Sequence, residues 1–253
     1  MNIGYFLGPA GSGKSHATAT LYDWMNRVEL DVITLNLDPA VVRLPYAPTI
    51  DIRDYVSYEE IVDRFELGPN GAIIAAMDQV ALNIDDVIEE LKNFGADYVL
   101  VDLPGQMEAF AFRGSGPLII SALAHENIVA GAFLIDPILC NTASSFISIL
   151  LFGVSISYRL KTGMAFAISK GDLLQEARLN RMQEWVDNPE FLMEDLRMEK
   201  NLLNAELSKR IAQLVIENEQ LNEFPVISSE THQNIDLAFA EFQRIWNSED
   251  MFS

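Results

Sequence analysis

A run of eight residues close to the start of the chain, Gly8-Pro9-Ala10-Gly11-Ser12-Gly13-Lys14-Ser15, follows directly on the apolar stretch Ile3 to Leu7. It satisfies every fixed position of the pattern G-x-x-x-x-G-K-[ST]. A glycine-rich loop between a strand and a helix turns successive backbone N–H groups toward one point, at the positive end of the helix, where phosphates can sit. Lys14 is then expected to pair with the β- and γ-phosphates of a nucleoside triphosphate, and Ser15 to offer its hydroxyl to Mg2+. His16 comes next, where many such loops carry a threonine, so the α-phosphate contact expected there is from the backbone alone.

The rest of the chain supplies the sheet that such a loop needs. Short apolar runs recur at Val32 to Leu37, Tyr98 to Leu103, Val129 to Ile135, Met164 to Ile168 and Pro225 to Ile227, separated by longer segments of helical pattern. Continuous apolar strands with crossover helices mark a parallel sheet covered on both faces. The expected fold class is therefore α/β, the three-layer P-loop NTPase fold, with a mostly parallel sheet and helices on both faces. No linker-like composition step divides the 253 residues, which predicts a single domain over 1–253. Between Asp172 and Phe224 acids outnumber bases about twofold, with Leu192, Leu196, Leu203, Leu207, Ile211 and Leu214 at helical spacing. This predicts a helical insertion over about 173–223, either a lid over the nucleotide or a solvated hairpin with no role there. Asn234 to Trp246 predicts a further amphipathic helix.

Charge and cysteine usage narrow the partners. A formal charge of -20, from 37 acidic and 17 basic residues, repels polyanions and anionic lipid, so neither direct nucleic-acid binding nor a membrane surface is expected. The single cysteine, Cys140, suits a reducing cytoplasm, and the apolar start runs into the glycine loop without a basic leader. The expected location is cytoplasmic. Ala143 to Tyr158 is apolar but broken by serines, and the expectation is a buried helix rather than a span, which wants about 20 apolar residues.

Two strand ends carry further chemistry. In Asp102-Leu103-Pro104-Gly105-Gln106, an acid at a strand tip can hold Mg2+ through a water, and Gly105 lets the backbone approach the γ-phosphate. Gln106 can orient an attacking water, with Glu108 sharing that work or accepting its proton. In Ser169-Lys170-Gly171-Asp172, a carboxylate can take two hydrogen bonds from guanine N1 and its exocyclic amine, which adenine does not supply. The Lys170 stem would cover the base. Ser169 stands where Asn is more frequent, which removes an amide that usually braces the loop. Ser229, in Ser228-Ser229-Glu230-Thr231, is placed to meet the base carbonyl through its backbone N–H, although a helix cap explains the same residues.

Three further segments carry a resemblance: Asn36-Leu37-Asp38-Pro39-Ala40, Ile50-Asp51-Ile52-Arg53-Asp54 and Leu67-Gly68-Pro69-Asn70-Gly71. Together with Asp102 to Glu108 and Ser169 to Leu173, they make the chain similar to the GPN-loop GTPases of archaea and eukaryotes, a SIMIBI-class P-loop family. The resemblance implies a Mg2+-dependent enzyme that converts GTP to GDP, working as a homodimer. The loop Gly68-Pro69-Asn70 of one subunit would reach the nucleotide of the other, so that Asn70 acts in trans. It also implies that Asp38 stands near the attacking water beside Gln106 and Glu108, that Ile50 to Asp54 relays nucleotide state, and that RNA polymerase assembly is a possible client process.

Other classes share the phosphate loop. A small-molecule or nucleoside kinase would need arginines in a lid, where this chain has Arg178, Arg181 and Arg197 among many carboxylates. A metal-delivery GTPase would want clustered ligands, whereas His16, His125 and His232 are scattered. A nucleotide-gated scaffold with negligible turnover shares every motif above.

Overall fold

The structure is a computed structural model that describes residues 1–199, 207, 210, 211, 213 and 224–249. Strands β1 (Asn2–Leu7), β2 (Val32–Asn36), β3 (Ile50–Asp51), β4 (Tyr98–Asp102), β5 (Ile128–Ile135) and β6 (Gly163–Ile168) form one sheet in the order β3-β2-β4-β1-β5-β6. Every pairing is parallel. The α-helices include α1 (Lys14–Arg27), α2 (Tyr58–Phe65), α3 (Pro69–Leu82), α4 (Ile84–Phe94), α5 (Met107–Ala111), α6 (Ser115–Leu123), α7 (Ala143–Leu160), α8 (Glu176–Asp187), α9 (Pro189–Met198) and α10 (Ile235–Glu249).

Alternation along each strand splits the core in two. Ile3, Tyr5, Leu7, Phe133 and Phe166 face the layer of α2 to α7, while Phe6, Ala130, Ala132, Ala165 and Ala167 face α1 and α10. The second face is lined with small side chains, and α10 fills it with Phe239, Phe242 and Trp246. A Cβ on Gly4 would lie 3.2 Å from Trp246, whose indole N–H donates to the Ile3 carbonyl at 3.1 Å. Small strand residues thus complement large helical ones, and α10 seats close on the sheet.

The sheet agrees with the apolar runs except at its edges. Pro225 to Ile227 contributes only one parallel bridge, Ile168 to Val226, instead of a strand. Proline has no N–H to continue a ladder, and the chain doubles back at once through a bridge from Ser228 to Gln233. The two-residue β3 had no period from which to be read.

Helix α7 starts in a capping box between Thr142 and Ser145 and buries Phe146, Ile147, Leu150, Gly153, Ile156 and Leu160 along one stripe. By length and composition it is apolar enough to cross a membrane; 39% of it is buried and Tyr158 on its outer side is 82% exposed, so the helix expected to be buried is covered along that one stripe and not all round. The segment expected as an insertion contains a helical hairpin. Asn188 ends α8 and caps α9 by accepting from the Glu190 N–H at 2.9 Å. Asp195 receives the Arg181 guanidinium through two bonds of 2.7 Å and the Trp185 indole N–H at 2.7 Å. Trp185 stands against Phe146 of α7 with ring centroids 5.4 Å apart. Leu192 and Leu196 are buried as their spacing implied, while Leu207 is exposed; Leu203 and Leu214 lie outside the described residues.

Between α5 and α6 the backbone comes close enough that one position admits no side chain. A Cβ on Gly116 would sit 2.1 Å from the Phe110 carbonyl oxygen. Gly116→Ala is expected to lower stability by about 1–3 kcal/mol, seen as a lower urea midpoint at unchanged slope.

Candidate nucleotide site

Parallel register brings the carboxyl ends of the central strands side by side: Phe6 is level with Asp102, Leu7 with Phe133, Asn36 with Asp102, and Ile135 with Ile168. Loops leaving these ends converge, which is where ligands bind in open α/β sheets. The glycine loop leaves β1 there. Gly8 has φ +144°, and a Cβ on it would meet Ser12 Oγ at 2.6 Å and the Leu134 carbonyl at 2.7 Å. Gly13 caps α1 with φ 95°, the left-handed region. No acid occupies the first turn of α1, so its positive end is not neutralised locally. Pro9 is half-buried, and Ala10, Gly11 and His16 are exposed at the loop's outer edge.

Lys14 is buried and curls back over this loop. Its ammonium donates to the Gly8 carbonyl at 3.0 Å, the Pro9 carbonyl at 3.1 Å and the Gly105 carbonyl at 3.4 Å. Burial lowers its pKa, opposed by the charges of Asp102, Asp38 and Glu108. Close by, Ser12 Oγ and Thr18 Oγ1 are buried without a hydrogen-bond partner. Such orphaned groups are unusual in a folded interior and fit a cradle for a polar ligand.

Two carboxylates face this ammonium. Asp102 is 1% exposed, and burial pushes its carboxyl up to about 6, with Ser15 and Tyr46 opposing the rise and Asp38 adding to it. Its Oδ2 accepts from the Tyr46 hydroxyl at 3.2 Å, while Oδ1 is buried without a partner. An unpartnered buried carboxylate oxygen beside the Ser15 hydroxyl suits a hard divalent cation. Asp38 accepts from the Ala40 N–H at 3.0 Å and from the Gly105 N–H at 3.3 Å. Burial raises its pKa too, against these two backbone bonds and the Lys14 and Arg53 charges.

The Asp38 loop is anchored from behind. Asn36, fully buried, accepts from the Asp38 N–H at 3.0 Å and donates to Asp51 Oδ1 at 2.9 Å. Arg53 grips Asp51 with bonds of 2.5 to 3.1 Å and donates to the Val41 carbonyl at 3.1 Å. The segment Ile50 to Asp54 is thereby tied to Asp38, beside a cleft of about 550 Å³ lined by Pro39, Val42, Arg53 and Tyr58. Gly68 and Pro69 begin α3 as its cap and first residue, leaving Asn70 exposed. Within this one chain the Gln106 amide donates to Asn70 Oδ1 at 3.5 Å. Glu108 is exposed in the first turn of α5.

The other end of the site is built after β5 and β6. Ser169 is buried and its hydroxyl donates to the Ile135 carbonyl at 3.2 Å, so it braces the loop where an asparagine amide was missing. Lys170, at φ 54°, donates to buried Asp136 at 2.8 Å. Asp172 is exposed, and its Oδ1 accepts from the Ser228 hydroxyl at 2.5 Å. Ser228 Oγ also accepts from the Thr231 N–H at 3.1 Å, which turns the hydroxyl proton toward Asp172. The Ser229 carbonyl accepts from Thr20 on α1 at 3.2 Å, tying this end to the phosphate loop's helix.

Sequence reasoning passed over Tyr46, Asp136 and Ser228. Asp136 was findable, since it follows directly on the end of β5, as Asp102 closes β4. Tyr46 lies in irregular chain with no pattern around it, and the bond from Ser228 to Asp172 depends on the turn between Ser228 and Gln233.

A parallel sheet that delivers a glycine-rich loop to a helix, with a lysine curled over that loop, defines the P-loop nucleotide-binding class. A family profile described as a conserved hypothetical ATP binding protein matches residues 6–245. GPN-loop GTPase 1 of Dictyostelium discoideum is 34% identical over 184 residues, 72% of this chain and 46% of the relative. The chain thus spans about half the length of that relative. A GPN-loop GTPase of Pyrococcus abyssi is 31% identical over 199 residues, 78% of each. The crystal structure of a GTPase in apo form from Pyrococcus abyssi superposes with a TM-score of 0.85 at 26% identity, covering 96% of this chain and 97% of that one. This chain belongs to the GPN-loop GTPase family.

The buried Asp102 makes a signed pH prediction. A carboxyl raised from 3.8 to about 6 on folding holds its proton more tightly in the fold, so its cost is absent at low pH and complete above about 6. Asp102→Asn is expected to unfold at higher urea than the wild type at pH 7.5, by on the order of 2–3 kcal/mol, with the gap closing toward pH 4.

Proposed function

We propose that this protein is a Mg2+-dependent GTPase that works as a homodimeric switch. The observation that carries this reading is the arrangement of one strand-end surface: an anion cradle at Lys14, buried Asp102 and half-buried Asp38 beside it, and the Asp172–Ser228 pair at the far side. Lys14 would exchange the Gly8 and Pro9 carbonyls for β- and γ-phosphate oxygens, with the amides of Gly11 to Ser15 around them. Ser15 and Asp102 fit as holders of Mg2+, which when bound neutralises charge on the β- and γ-phosphates. Asp38 and Gln106 would hold the attacking water in line, with Glu108 at the mouth of the site. The Gly105 N–H, now given to Asp38, is the group available to sense the γ-phosphate. Asp172, held by Ser228, would read guanine, and Lys170, held by Asp136, would lie along the base.

The kinase alternative has little support, because two of the arginines a lid would use are committed. Arg178 donates to the carbonyls of Pro137 and Cys140, and Arg181 is shared by Asp195 and Glu184. For the dimer, support comes from the family and from the exposure of Asn70, whose neutral amide could serve a partner's phosphates. The charge of -20 suits a protein client over a nucleic acid, in keeping with the polymerase-assembly role of the resemblance, and a cytoplasmic setting fits one buried free cysteine.

Competition of GTP and ATP against a fluorescent GDP analogue tests the base assignment. GTP is expected to win, and Ser228→Ala to weaken it about tenfold, the worth of one bond to a charged group, with ATP unaffected. Equal competition by the two nucleotides in the wild type would remove the guanine reading. The trans arrangement is tested by mixing Asn70→Ala with Gln106→Ala protein, each expected to be slow alone. Exchange should restore one intact site and about a quarter of wild-type phosphate release per subunit, given random pairing; subunit exchange without recovery would show that Asn70 serves its own chain.

A further inference from the structure

Tyr46 belongs to none of the motifs, yet its hydroxyl donates to Asp102 Oδ2 at 3.2 Å, while Oδ1 of the same carboxylate is buried and unpartnered. The loop that carries Tyr46 is pinned on both sides. On one, Asn36 takes the Asp38 N–H at 3.0 Å and Asp38 takes the Gly105 N–H at 3.3 Å. On the other, Thr49 and Thr34 exchange bonds between backbone N–H and side-chain hydroxyl, of 3.0 and 3.2 Å. A side chain between two fixed points is a rigid mount, and a tyrosine has few torsions to order.

The chemistry of the donor matters here. A lysine or arginine would steady Asp102 equally well but would repel a cation, and another carboxylate would compete for it. A phenol does neither. It occupies one carboxylate oxygen and leaves the other open, which is how supporting groups orient metal-holding carboxylates before the ion arrives.

We propose that Tyr46 is a positioning residue that holds Asp102 in the orientation that receives hydrated Mg2+, and so links the loop after β2 to metal loading. This rests on the Mg2+–nucleotide reading above. The loop would then report on both halves of the ligand, through Asp38 at Gly105 and through Tyr46 at Asp102.

The test is binding of a fluorescent GTP analogue to full-length wild type and Tyr46→Phe protein, in EDTA and across a MgCl2 titration. The half-saturating Mg2+ concentration is expected to rise about tenfold in Tyr46→Phe, with affinity in EDTA unchanged. In an Asp102→Asn background, Tyr46→Phe should add no further shift, since its effect passes through that carboxylate. A Tyr46→Phe titration that overlays a responsive wild type would overturn the assignment alone, as would an equal loss of affinity in EDTA, the mark of general pocket damage. A wild type whose nucleotide affinity ignores Mg2+ would remove the underlying reading and Tyr46's part with it.

Discussion

The register of β1 between β4 and β5 is the constraint on which the site depends. Parallel pairing that sets Phe6 level with Asp102 and Leu7 level with Phe133 brings the phosphate loop beside the β4 carboxylate. A one-residue slip would turn every side chain of β1 to the opposite face and exchange Tyr5 and Leu7 with Phe6. The two faces cannot accept that exchange. One is filled by aromatic residues of α10 against alanines of β5 and β6, the other by the large side chains of α5 to α7. Packing far from this loop therefore holds Lys14 within reach of Gly105.

What this register gathers is electrostatically unbalanced. Lys14, Asp38 and Asp102 are withdrawn from water together, and burial shifts each of them toward its neutral form. Two carboxylates against one ammonium, with buried hydroxyls unsatisfied beside them, is costly in a structural core and suited to a divalent cation with an anionic ligand. The chain's own groups satisfy part of this cluster: carbonyl oxygens hold Lys14, and Asp38 holds the Gly105 N–H. Hydrogen bonds run without a break from the Gly105 N–H to Asp38, and through Asn36, Asp51 and Arg53 to the cleft beside α2.

Much of this was legible in order along the chain. Gly8 to Ser15, Asp102 to Gln106 and Ser169 to Asp172 are contiguous, and each announces its chemistry because a loop at a strand end needs few residues in fixed spacing. The residues that steady those motifs were not legible, for a physical reason. Tyr46 meets Asp102 across 56 positions, Lys170 meets Asp136 across 34, and Ser228 meets Asp172 across 56. A contact between two separate loops leaves no periodicity in either. The misjudged edge of the sheet, Pro225 to Ile227, failed similarly: apolar content argued for a strand, and the missing proline N–H and the turn at Ser228 decided otherwise.

From the order of residues alone came the class of fold, the phosphate loop and the identity of the acids and amides at the strand ends, since backbone torsion and side-chain type act locally. Only the tertiary structure decided which oxygen of Asp102 stays open, that Ser228 holds Asp172, that Ser169 braces its loop through the Ile135 carbonyl, and that Asn70 lies against Gln106 of its own chain. Those are matters of distance between segments that the sheet brings together, and distance across a fold is set by packing rather than by neighbours in sequence.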